Sequence, residues 1–145
     1  MDSEPDSGDR TRGACAEPGL LLPRTLLLDL ETSHQGSILK VGAALGDQTL
    51  RQPGGGSSKG VWTALADLAR QAACLLGHNL VRHDLAILRE VVPGHPLLRL
   101  PVIDTLVLSP IAFPENPYHR LVKDYKLVRE SLNDPVADAR QAASL

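Results

Sequence analysis

The sequence predicts an α/β domain with a mixed sheet, and three observations predict it. Short apolar runs with strand character come first, over residues 25–30, 37–45 and 48–51. Apolar residues at helical spacing begin only afterwards, over 61–73 and 80–92. Further short runs follow those helices, at 74–77 and 101–104, so strands lead and then alternate with helices. A chain of 145 residues is long enough for one domain with its own core.

Residues 1–22 are rich in Asp, Ser, Gly, Glu and Pro and are expected to form a disordered leader, with the domain over 23–145. The first 19 residues carry a net charge of −3, and residues 20–145 carry +1. Bulk charge therefore does not argue for nucleic-acid binding. Residues 25–30 read as a buried strand, 37–45 as a second reached through His34-Gln35-Gly36, and 48–51 as a third, together an antiparallel meander. Residues 53–60, Pro-Gly-Gly-Gly-Ser-Ser-Lys-Gly, are a loop; without a Gly-Lys-Ser/Thr ending they are no phosphate-cradling P-loop.

The helix over 61–73 presents Val61, Leu65, Leu68 and Ala72 on one face. After a core strand at 74–77, the helix over 80–92 presents Val81, Leu85, Leu88 and Val92, and Pro93-Gly94-His95-Pro96 stops it. Residues 101–104 are a short strand, 105–108 start a helical turn, and Pro110, Pro114 and Pro117 mark a loop. Helices are expected over 119–130 and 134–145, the latter with Asp134 as N-cap and Pro135 at its first position. There is no internal repeat.

Cys15 and Cys74 fit neither a metal nor a redox spacing, which suits a reducing, cytoplasmic setting. The acidic N-terminus is not the basic start of a signal peptide, and the apolar runs are too short to cross a bilayer, so no membrane partner is expected.

The chemistry gathers around Asp29 and Glu31. Side chains two apart on a strand share a face, so these two carboxylates project together. Such a pair repels itself unless a cation binds between its members. Asp84 falls about one turn into the helix after Asn79, which is placed to cap it, and Asp138 one turn into the last helix. Taken singly, each of these acids reads as a solvated first-turn residue stabilised by the helix dipole.

Their order changes that reading. Asp29-Leu30-Glu31-Thr32, then Gly77-His78-Asn79 running to Asp84, then Asn133-Asp134-Pro135-Val136-Ala137-Asp138-Ala139 resemble the three motifs of the DEDD superfamily of 3′–5′ exonucleases. Ile103-Asp104-Thr105-Leu106 resembles the Asp-Thr-Leu often found between the second and third motifs. The resemblance covers residues 24–145. It implies an RNase H-like fold, a mixed sheet flanked by helices. It implies that Asp29, Glu31, Asp84 and Asp138 are catalytic and hold two Mg²⁺ or Mn²⁺ ions, hard cations suited to oxygen ligands. The substrates implied are 3′ ends of single-stranded DNA or RNA, and the setting DNA repair. The stretch from His119 to Pro135 is also similar to exonuclease-like domains fused to RecQ-type helicases, which makes a helicase region a candidate partner.

The chain departs from the family pattern at the position of the usual base. Many members carry a His five residues before the last Asp, and others a Tyr four before it; here Asn133 and Asp134 stand there. Asn cannot accept a proton at neutral pH. His119, behind its proline-rich approach, is the preferred substitute, with His83 second; His78 reads as structural. Thr32, Asn79, Arg120 and Lys123 are the residues expected against nucleic acid, the last two from a stripe continued by Lys126 and Arg129. Trp62 and Phe113 are candidates for base stacking, Trp62 reading better as packing. The chain stops seven residues after Asp138, where family domains usually run on, so a fragment of a longer protein is expected. Two other readings stay open: an exonuclease-like module with weakened catalysis that binds nucleic acid or a partner, and a generic α/β domain with coincidental acids.

Overall fold

The computed structural model describes residues 22–52, 59–115 and 135–143. A five-stranded mixed sheet is flanked by helices on both faces, with strands in the order β3-β2-β1-β4-β5. A single 3₁₀ turn, Leu22–Arg24, leads into β1 (Thr25–Thr32), β2 (Ile38–Leu45) and β3 (Gln48–Gln52), an antiparallel meander as expected. Helix α1 (Lys59–Gln71) then crosses to β4 (Cys74–Gly77), which pairs parallel with β1. Next come a wide π-type turn (Leu80–Asp84), α2 (Leu85–Val91), a 3₁₀ turn (Pro96–Arg99) and β5 (Val102–Asp104), parallel to β4. Helices α3 (Thr105–Ala112) and α4 (Pro135–Ala143) complete the described residues. None of the described helices is long and apolar enough to cross a membrane.

Strand alternation sorts β1 into two faces. Leu26, Leu28 and Leu30 enter the main core with Val41 and Ala43 of β2, Val61, Leu65 and Leu68 of α1, and Leu80, Leu85, Leu88 and Leu97. Each such leucine contributes about 2 kcal/mol by leaving water. Leu27, Asp29 and Glu31 face the other way. Asp29 stands opposite Gly42 in the β1–β2 register, and opposed residues share a face. A Cβ on Gly42 would lie 2.5 Å from Pro135, so the glycine lets the start of α4 settle on the sheet beside Asp29. Val136, Ala139 and Ala142 of α4 are buried, and α4 packs against β1 and β2.

Several expectations need correction. The helix expected over 80–92 is broken: Leu85 N–H bonds to Leu80 O, five residues back, before regular α geometry begins. The wide turn rotates the apolar face, so Leu80 is fully buried and Val81 is 45% exposed. Asn79 does not cap this segment through its side chain; it takes a left-handed conformation, φ 61°. The helical turn expected at 105–108 continues through Pro110 to Ala112, and the 3₁₀ turn at Pro96–Arg99 was not anticipated. Trp62 is buried in the core with its backbone oxygen accepting from His95 Nε2 at 2.9 Å, so it is packing and not a base platform. Phe113 is 46% exposed and lines an apolar cavity of about 210 Å³ with Leu76, Leu108 and Ala142. Cys74 is a buried free thiol beside the Thr25 hydroxyl. The leader, the loop over 53–58, the helix expected at 119–130, Asn133 and Asp134 lie outside the described residues.

Candidate active site at the end of strand β1

Pairing between β1 and β4 runs only from Thr25 to Leu27, because β4 ends at Gly77 and turns away. The turn is tight: a Cβ on Gly77 would meet Leu28 O at 2.6 Å and the Leu80 side chain at 2.8 Å. Past this point β1 has no β4 backbone beside it. The carboxylate of Asp84 fills the place, Oδ1 accepting from Leu30 N–H at 2.8 Å. Leu30 lies between Asp29 and Glu31, so an acid 54 residues away is fixed at the backbone that joins the pair.

Asp84 is only 2% exposed, which overturns its reading as a solvated first-turn acid. The π-type turn is what points it inward. Burial pushes its carboxyl up to about 6, against the opposing pull of His83 and the Leu30 N–H. His83 sits 3.4 Å from Asp84 Oδ2 through Nδ1 and 3.2 Å from the Thr32 hydroxyl through Nε2. His83 is a half-buried residue beside the Asp84 carboxylate. Thr32 is thereby held at the end of β1, beside the register shift that follows Glu31.

Glu31 stands directly across from Lys40, and its Oε2 lies 3.1 Å from the Lys40 ammonium. Its Oε1 is buried and has no hydrogen-bond partner among the described residues. Asp29 is partly buried and engaged. Asp138 lies on α4 between the buried Val136 and Ala139, but its side chain is outside the described residues. Among the described residues no three His, Cys, Asp or Glu side chains make a set that could hold a metal ion. Three of the four expected carboxylate residues are therefore located around one strand end, and the closure of the set by Asp138 is outside what is described. His119, Arg120 and Lys123 lie outside it as well.

A second network supports the first. Asp104 at the end of β5 accepts from the N–H groups of Asn79 (2.8 Å), Val81 (2.9 Å) and Leu106 (3.0 Å). One buried carboxylate thus ties the chain leaving β4 to its own helix, doing the capping expected of Asn79. Thr105 donates to Gly77 O at 3.3 Å, and its hydroxyl is hydrogen-bonded with His78 Nδ1 at 2.9 Å, which ties His78 to the start of α3. Burial holds the His78 imidazole below its ordinary value, with Asp104 pulling the other way. Sequence reasoning noticed Asp104-Thr105 but did not see this anchoring. It also missed Lys40, whose signal lay in strand register: a meander that places Gly42 opposite Asp29 places Lys40 opposite Glu31.

No protein-family model, no curated protein and no solved structure matches this chain.

Proposed function

We propose that this chain is a metal-dependent 3′–5′ exonuclease domain of RNase H-like fold, cutting the terminal phosphodiester of single-stranded DNA or RNA. One observation carries the reading: the Asp84 carboxylate, picked out by motif order alone, is bound to the backbone between Asp29 and Glu31. The four acids offer carboxylate oxygens, which suit hard cations, and Glu31 Oε1 is buried without a partner among the described residues. Asp29, Glu31 and Asp84, with Asp138 from α4, would hold two Mg²⁺ or Mn²⁺ ions. Such ions supply an acidified water and stabilise charge on the leaving 3′ oxygen.

The protein's own part is positional. The Leu30 N–H and His83 fix the two oxygens of Asp84, and His83 also fixes Thr32 at the strand end where the substrate terminus would lie. The close approach of Pro135 to Gly42 sets α4, which carries Asp138, over the same face as Asp29.

A second reading is the exonuclease-like module with weakened catalysis, which binds nucleic acid or a partner such as a helicase region. The Lys40 ammonium on Glu31 favours it, since the chain already supplies part of the positive charge. Asn133 at the usual base position favours it too. One assay separates the readings: 5′-labelled single-stranded DNA incubated with Mn²⁺ and either the parent chain or Asp29→Ala. A ladder shortening from the 3′ end with the parent alone is the expected result. Intact DNA with both proteins, and DNA binding retained, would establish the module instead.

A further inference from the structure

Lys40 is not one of the four acids of the proposed site, yet its ammonium touches Glu31. The β1–β2 register places it opposite Glu31 and two residues from Gly42, on the face that carries Asp29 and α4. Its ammonium 3.1 Å from Oε2 makes the two oxygens of Glu31 unequal. Oε2 is engaged by a cation that belongs to the chain, while Oε1 is buried with no hydrogen-bond partner among the described residues. A buried carboxylate oxygen without a donor is costly, and a bound cation relieves that cost. A divalent ion and an ammonium on the same carboxylate also repel each other.

We infer that Lys40 is a tethered counter-ion that competes with a divalent ion at Glu31, leaving Oε1 as the ligand oxygen and setting the metal affinity of the site low. The inference rests on the metal-site reading given above. Lys40 keeps the metal-free chain tolerable by offsetting the carboxylate repulsion, and site occupancy then follows the free-ion concentration. Its side chain is 33% exposed, so the ammonium can withdraw towards water when a divalent ion enters.

The test is calorimetric titration of the whole chain with MnCl₂, comparing wild type with Lys40→Met, Lys40→Gln and Lys40→Arg. Met and Gln remove the charge and Arg keeps it. The two uncharged variants should bind Mn²⁺ about tenfold more tightly than wild type, and Arg within about twofold of it. The metal-free melting temperature should fall in whichever uncharged variant folds and hold in Arg. Equal or weaker Mn²⁺ binding by the uncharged variants would overturn the role of Lys40 and leave the metal site standing. No Mn²⁺ binding by any of the four proteins would overturn the metal site and the role of Lys40 together.

Discussion

Asp84 shows how burial and a single backbone donor shape one side chain. Its carboxyl titrates near 6, above its ordinary 3.8, because burial disfavours the charged form more than His83 and Leu30 favour it. The folded chain therefore binds a proton more readily than the unfolded one between these values. It follows that stability falls as the pH rises from about 4 through 6, by on the order of 2 kcal/mol. Asp84→Asn removes the ionisation and should flatten that slope while keeping an oxygen for the Leu30 N–H. Urea unfolding at pH 4.5 and 7.5 reads this directly, and the same slope in both proteins would refute the assignment. Lys40 and Glu31 show the complementary case. Both are partly exposed, so their pairing is worth little as stability, about 0.2–1 kcal/mol, and matters more for what it does to the free oxygen.

At the scale of elements, the site depends on how the chain leaves β4 and β5. The π-type turn buries Asp84, and Asp104 holds the start of that turn and the start of α3 with one carboxylate. Asp104→Ala would leave three backbone donors without their acceptor, costing about 3 kcal/mol. Amide exchange should quicken at Asn79, Val81 and Leu106 before the rest of the sheet. Uniform exchange rates would show that the turn holds itself. Pattern reasoning failed here for a physical reason. It fitted a regular helix from residue 80, and a turn that bonds five residues back moves every later side chain around the axis. The same shift exchanged Val81 for Leu80 in the core and turned Asp84 inward. The anchor was equally hidden, because Asp104 is 25 residues from Asn79 and no local signal joins them.

For the whole molecule, strand composition and turn residues made most of the sheet legible: β1 to β5 fall where apolar runs and their boundaries put them. The parallel placement of β4 beside β1 follows from a helix lying between them. Motif order pointed to Asp84 lying near Asp29 and Glu31, and its bond to Leu30 N–H puts it there, whereas the contact of Lys40 with Glu31 needed the strand register that only the fold supplies. On the proposed function, these carboxylates bind divalent ions and their mutual repulsion destabilises the chain without them. Thermal unfolding with and without Mn²⁺ tests that claim most directly, run on wild type beside the double variant Asp29→Asn, Glu31→Gln. At an ion concentration about tenfold above Kd, wild type should gain about 4 °C and the double variant nothing. An unchanged melting temperature in wild type, or an equal gain in both proteins, would contradict it.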